Sequence, residues 1–136
     1  MHKGFLKVAL LVGALSVIMG AFGAHALKDL VSERVTVTFE TGVRYQFYHV
    51  FALLVVAMLY KEFNQKWLRA AGYCIIAGFV LFCGSLYMLS YVQALVLPGY
   101  KWLGPITPVG GAAFIAGWFC MLVAVFVSNK STGFSV

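Results

Sequence analysis

Residues 8–26 read VALLVGALSVIMGAFGAHA, a stretch without a single charge. A helix needs about 20 apolar residues to cross the hydrocarbon core of a bilayer, so this stretch predicts a transmembrane span. Three more follow at about 45–60, 70–91 and 109–128. Composition agrees: 62% of the 136 residues are hydrophobic and only 10% are charged. A soluble domain carries about 25% charged residues, because something polar must face water. The mean hydropathy is +0.93. The expected fold is therefore all-α, an integral membrane four-helix bundle, with residues 1–136 forming a single transmembrane domain.

Short polar segments separate the spans. A charged turn, Lys61-Glu62-Phe63-Asn64-Gln65-Lys66-Trp67-Leu68-Arg69, lies between the second and third. Pro98, Gly99, Pro105 and Pro108 punctuate the loop before the fourth, where proline stops one helix and sets up the next. Lys3, the apolar run and Ala24-His25-Ala26 together mimic a cleavable signal peptide. The run is long for a signal core, so the expectation is retention as a span.

The net charge of +6 is dispersed along the chain. It reads as topology determinants and anionic-lipid contacts, not as a nucleic-acid footprint. With both termini in the cytoplasm, the inner segments hold Lys3, Lys7, Lys61, Lys66, Arg69 and Lys130. The outer segments then hold Lys28, Arg34, Arg44 and Lys101. The bias of six against four favours that orientation in a cell (inner) membrane.

Lipid is as apolar as the helices, so small residues must let them approach. Gly13, Ser16, Gly20 and Gly23 form a stripe in the first span. Gly110, Ala113, Gly117, Cys120 and Ala124 form one in the fourth, and Cys74, Gly78 and Ser85 fall in similar register in the third. These predict seams within the bundle or between copies in a homo-oligomer. The second span is bulky and supplies knobs. Cys74, Cys83 and Cys120 have no metal-ligand spacing and read as packing residues.

The approach to the second span carries most of the polarity: Phe39-Glu40-Thr41-Gly42-Val43-Arg44-Tyr45-Gln46-Phe47-Tyr48-His49. A membrane-surface helix running into the span places Glu40 and Arg44 at i,i+4, the favourable order for an ion pair. Tyr45 and His49 form a second such pair. His25 ends the first span at the same membrane surface. His25, Glu40, Arg44, Tyr45, Gln46 and His49 are thus expected to gather as one polar cluster near the outer interface, either satisfying one another or binding a ligand. Ser85, Tyr87 and Thr107 join them as ligand-binding candidates. Ser85 is expected to bond back to its own helix, Tyr87 to sit in an aromatic belt with Trp67, Trp102 and, although it falls inside the fourth span, Trp118, and Thr107 to cap the fourth span, whose first amides could alternatively cradle an anion. No metal site is expected, since two histidines and one carboxylate lack a close-spaced pair. No cofactor motif is present, and the inner side reads as plain anchoring charge.

Gly20-Ala21-Phe22-Gly23-Ala24-His25, the Phe39–Gln46 stretch leading to Tyr48-His49, Gly84-Ser85-Leu86-Tyr87, Thr107-Pro108-Val109-Gly110-Gly111 and Gly117-Trp118 resemble the YgdD/YwdK family. These are small bacterial inner-membrane proteins with a small eukaryotic transmembrane relative. The resemblance covers nearly the whole chain. It implies a four-helix membrane protein with no established activity, and it transfers no catalytic residue. Three readings of function follow. The first is a non-catalytic protein whose outer polar cluster binds a small molecule, lipid headgroup or ion. The second is a structural or accessory subunit with a membrane-protein partner. The third, an integral membrane enzyme with a histidine base, lacks a nucleophile–base pair.

Overall fold

The computed structural model describes residues 1–128. Every regular element among them is helical. α1 (Lys3–Phe22) runs on through a π turn (Gly23–Leu27), and α2 is Glu33–Leu59. α3 (Gln65–Gly78), a π segment (Phe79–Cys83) and α4 (Gly84–Ala94) follow without a break. A 3-10 turn (Tyr100–Leu103) then leads to α5 (Ile106–Ser128). Among the described residues, four stretches are long and apolar enough to cross a membrane: Lys3–Leu27, Glu33–Leu59, Gln65–Ala94 and Tyr100–Ser128. Lys130 of the charge tally lies outside the described residues.

α1 packs along α2, α3 packs along α5, and α2 also lies against α3 and α4. The His2 amide donates to the Ala57 carbonyl at 2.7 Å, fixing the N terminus beside the end of α2. One end of the bundle thus holds the N terminus and the Tyr60–Asn64 turn. The far end holds residues 28–32 and 95–105.

The polar lead-in is helical as expected, and no turn separates it from the second span. Residues 33–44 are the first three turns of α2 itself. The alternation Val35-Thr36-Val37-Thr38 does not make a strand, because the threonines spend their hydroxyls inside the helix. Thr36, Thr38 and Thr41 donate to the carbonyls of Ser32, Arg34 and Val37 at 3.4, 2.9 and 2.8 Å. Such i−4 bonds let threonine sit in a helix at little cost. Glu33 in the first turn also suits the helix dipole.

A seam runs down the buried face of α2 through Val35, Phe39, Gly42, Gln46, His49, Leu53 and Val56 to Tyr60 just past its end, with Val50, Ala52 and Ala57 buried beside it. Its spacing of four and three alternates without interruption, which is the seam of a helix packed at a shallow angle. The small-residue stripes fall inside the chain. Added methyl groups at Gly13, Gly20 and Gly23 would meet Val50, Val43 and Phe39 of α2 at 3.3, 3.5 and 3.1 Å. At Gly78 the methyl would strike the Phe114 ring, at Gly117 it would meet Ile75 at 3.0 Å, and at Gly110 it would strike the backbone of Phe82. α2 supplies knobs, as expected, yet it also has a hole. The Tyr87 ring would lie 2.9 Å from a methyl on Gly42.

The N-terminal end is more than anchoring charge. The His2 ring stacks on Phe5 at 4.0 Å while its Nδ1 accepts from the Phe5 amide. Phe5 fills the space left by Gly72 and meets Tyr60 and Tyr73 edge-on. Arg69 Nε donates to Tyr60 Oη at 3.0 Å, and Asn64 caps α3 through the Lys66 and Trp67 amides. Aromatic packing and a directed guanidinium thus close this end of the bundle.

Candidate functional site

Helical geometry divides the expected polar cluster. At about 100° per residue, Arg44 lies about 140° around α2 from His49, and Glu40 lies opposite it. The candidate residues accordingly form three separate groups along α2, with a Ser85–Thr107 pair elsewhere and His25 apart from all of them.

The first group is a buried network. Gln46 Nε2 donates to Ser16 Oγ at 2.9 Å and to the Val12 carbonyl at 3.4 Å. Ser16 Oγ itself donates to Val12 O at 2.8 Å. On the other side Tyr87 Oη donates to Gln46 Oε1 at 2.9 Å. The amide of Gln46 therefore ties α1, α2 and α4 together with its oxygen and nitrogen both engaged. Tyr87, expected in an aromatic belt, points into the bundle instead, because the methyl-free face of Gly42 admits its ring.

The second group centres on His49, which is 6% exposed. The Trp118 indole N–H lies 3.2 Å from His49 Nε2, and His49 Nδ1 lies 2.8 Å from the Tyr45 carbonyl. Indole nitrogen only donates and carbonyl oxygen only accepts. His49 must then be the neutral tautomer with its proton on Nδ1. Its ring lies parallel to Phe114 at a centroid distance of 3.6 Å. Both nitrogens are occupied, which leaves neither free to take a proton from a substrate or to bind a metal. Taking the end of α2 at Tyr60 as the hydrocarbon boundary, eleven residues put His49 about 16 Å into a ~30 Å core, near the middle of the Glu33–Leu59 span rather than near an interface. Trp118 lies ten residues from Ser128, at a similar depth and away from any interfacial belt.

Glu40 and Arg44 make the third group. Both are exposed, and among the described residues no salt bridge within 4.0 Å joins them. Instead they edge an open groove of about 240 Å³ between α1 and α2, floored by Gly20 and Gly23 with Phe39 and Val43 beside them. The same depth count places Glu40 at the far-end boundary of the hydrocarbon and Arg44 about 6 Å inside it. His25 is exposed on the π turn, and among the described residues no hydrogen bond or ring contact ties it to these groups.

Ser85 donates to Phe82 O at 2.9 Å, bonding back to its own helix as expected. Its Oγ also lies 2.7 Å from Thr107 Oγ1. With the Ser85 proton already spent, Thr107 is the donor. Thr107 therefore does not cap α5, which begins one residue earlier at Ile106; it clips α5 to α4.

Sequence reasoning missed Ser16, Phe82 and Phe114. Ser16 was read as a packing residue, although a serine facing Gln46 across a seam is also a hydrogen-bond partner. Phe82 and Phe114 carried no polar signal. The described residues hold no group of three or more His, Cys, Asp or Glu side chains able to bind a metal.

Four apolar spans joined by buried side-chain hydrogen bonds define a small all-helical integral membrane protein. The chain belongs to the DUF423 family, described as proteins of unknown function, whose model matches residues 19–111. It is 40% identical over 124 residues to the UPF0382 membrane protein YwdK of Bacillus subtilis (strain 168), covering 88% of this chain and 96% of that protein. A UPF0382 membrane protein of Staphylococcus aureus (strain bovine RF122 / ET3-1) is 39% identical over 127 residues, covering 89% and 97%. No solved structure matches the chain at a significant level.

Proposed function

We propose that this protein is a non-catalytic membrane protein that holds a zwitterionic phospholipid headgroup in the groove between α1 and α2. One observation carries the reading: Glu40 and Arg44 stand at i,i+4 on one helix yet leave each other unpaired and line the same opening. An ionic side chain at this depth is costly unless something answers it. A guanidinium presents a fork matched to a phosphate, and a carboxylate accepts from a primary ammonium. Phosphatidylethanolamine offers both groups a few ångströms apart, and the open groove of about 240 Å³ has room for part of its headgroup. Residues 1–136 act as one domain in this reading, in the cell (inner) membrane with both termini cytoplasmic, so the groove faces the outer leaflet. His49, Gln46, Tyr87, Ser85 and Thr107 serve as the framework, and no chemical step is assigned to them. The homo-oligomer or accessory-subunit reading draws less support, since the stripes that motivated it pack within the chain.

Native mass spectrometry of the delipidated protein with added phosphatidylethanolamine or phosphatidylcholine tests this. Ethanolamine lipid is expected to be retained preferentially, because a quaternary ammonium has no proton to donate. Arg44→Ala should weaken retention of both lipids by about tenfold, the scale of a charge-assisted hydrogen bond. Glu40→Gln should erase the preference and leave phosphate binding. Equal retention of both lipids by the wild type, unchanged in the two variants, would refute the reading.

A further inference from the structure

We propose that the cleft between α2 and α5 binds a lipid-soluble planar ring bearing carbonyl acceptors, the chemistry of an isoprenoid quinone. The cleft is separate from the Glu40–Arg44 groove and lies on the opposite flank of α2. Its walls are rings from three spans: Tyr45 from α2, Phe82 from the π segment, and Phe114 and Trp118 from α5. Tyr45 and Phe82 lie 5.0 Å apart, and Phe82 and Phe114 5.7 Å. The cleft encloses about 340 Å³, the lower end of the range for small-molecule sites and room for one ring with the root of its tail.

Three features select the ligand. Depth comes first: Tyr45 lies fifteen residues and Trp118 ten residues from the N-terminal boundary, so the cleft occupies the middle and far half of the hydrocarbon. Tyr45, Ile115 and Trp118 are exposed there, so the mouth opens to lipid tails and admits what dissolves among them. Polarity comes second. No charged side chain lines the cleft, which excludes a headgroup. His49 has both nitrogens engaged and the Trp118 N–H is spent on it. The Tyr45 hydroxyl is the lining donor left over: among the described residues it has no hydrogen-bond partner. A hydroxyl without an acceptor in hydrocarbon favours a ligand that supplies one. Shape comes third. Aromatic faces and edges pair better with a flat π ring than with a saturated chain. Gly111 keeps the slot open, since a methyl group there would meet nothing nearer than the Phe82 ring edge at 3.7 Å.

Full-length protein carrying Trp67→Phe and Trp102→Phe retains Trp118 as its one tryptophan. Its fluorescence in detergent micelles can be titrated with decylubiquinone, a quinone with a ten-carbon saturated tail. Saturable quenching is expected, undiminished by excess decanol. Gly111→Ala should preserve it, whereas Gly111→Leu, which fills the slot, should abolish it. Ile115→Phe, a change at the lipid-facing mouth that leaves the core alone, should weaken it even if the leucine variant fails to fold. Tyr45→Phe should weaken binding about fivefold, the loss of one hydrogen bond. Quenching that rises linearly without saturation, or is the same in the Ile115→Phe protein, would overturn the proposal. So would displacement by decanol at concentrations equal to the quinone, which would make the cleft a seat for an acyl chain.

Discussion

At the scale of single residues, the buried hydrogen bonds of Ser16, Gln46, His49 and Tyr87 are matched donor to acceptor, and the matching fixes their states, whereas Gln93 Oε1 is buried without a partner among the described residues. His49 is held in one tautomer because its two neighbours, an indole and a carbonyl, have opposite and invariable roles. Gln46 is held in one amide orientation by the same logic, with Ser16 already donating to Val12. Each bond is modest on its own: hydrogen bonds between membrane helices average ~0.6 kcal/mol and reach ~1.7. Gln46 makes bonds to two other helices, and removing it strands Tyr87 Oη in the interior. Gln46→Leu is therefore expected to destabilise the fold by about 1–2 kcal/mol, the cost of an unmade buried bond. Tyr87→Phe removes the hydroxyl itself and should cost less. Reversible unfolding in mixed micelles, followed by circular dichroism, reads both. A leucine variant as stable as the wild type would mean that the network contributes nothing to stability.

Between elements, close approach governs, and α5 shows it best. Gly110 and Gly111 are adjacent glycines of the same helix with opposite surroundings. A methyl at Gly110 would collide with the amide and Cα of Phe82, where backbone must move, whereas at Gly111 it meets only a ring edge at 3.7 Å. The π segment puts the Phe82 backbone there, widening the third span opposite the point where α5 comes closest. Gly110→Ala should therefore destabilise the bundle by several kcal/mol or block its assembly, while Gly111→Ala should fold normally, since overpacking against backbone cannot relax by a rotamer change. Size-exclusion behaviour and thermal melting of the two purified variants separate these outcomes; equal melting would refute the seam. Both glycines belong to one legible motif, Thr107-Pro108-Val109-Gly110-Gly111, and the three-four spacing Gly110-Ala113-Gly117 sets Gly110 rather than Gly111 on the packed stripe, though it does not name Phe82 as the partner. The spans themselves were legible because hydropathy reports burial in lipid directly. Their lengths were underestimated at α2, where threonines and charges in residues 33–44 lowered the apolar signal while i−4 hydroxyl bonds kept the helix intact. The polar residues stand out in the sequence one by one, but the way the fold divides them between neighbours does not. The four-three spacing from Val35 to Tyr60 already sets Gln46 and His49 on the packed face and Glu40 and Arg44 on the other, before any partner is known.

Taken as a whole, the molecule has two unlike ends, and their difference is what a membrane can read. The N-terminal end gathers Lys3, Lys7, Lys61, Lys66 and Arg69, fixed there by the His2–Ala57 bond and the Asn64 cap. Against these the far end carries Lys28, Arg34 and Lys101, with Arg44 drawn inside the hydrocarbon edge. The excess of Lys and Arg at the N-terminal end leads us to expect that end in the cytoplasm. The orientation requires that the first span stay attached, and the packing argues that it does. Gly13, Gly20 and Gly23 seat Val50, Val43 and Phe39 of α2, and Ser16 takes the Gln46 amide, so loss of residues 1–26 would uncover these four residues of α2 and break the three-helix network. Two measurements on intact cells then belong together. Intact mass of the extracted protein should include residues 1–26. Cysteines placed at Lys28 and at Lys61, in a background with Cys74, Cys83 and Cys120 replaced by alanine, should differ in labelling by a membrane-impermeant maleimide. Lys28→Cys should react from outside and Lys61→Cys only after the membrane is opened. Labelling of Lys61→Cys in sealed cells would invert the molecule and turn the Glu40–Arg44 groove toward the inner leaflet. The packing would be unchanged, but the groove would then draw its lipid from the opposite face of the membrane.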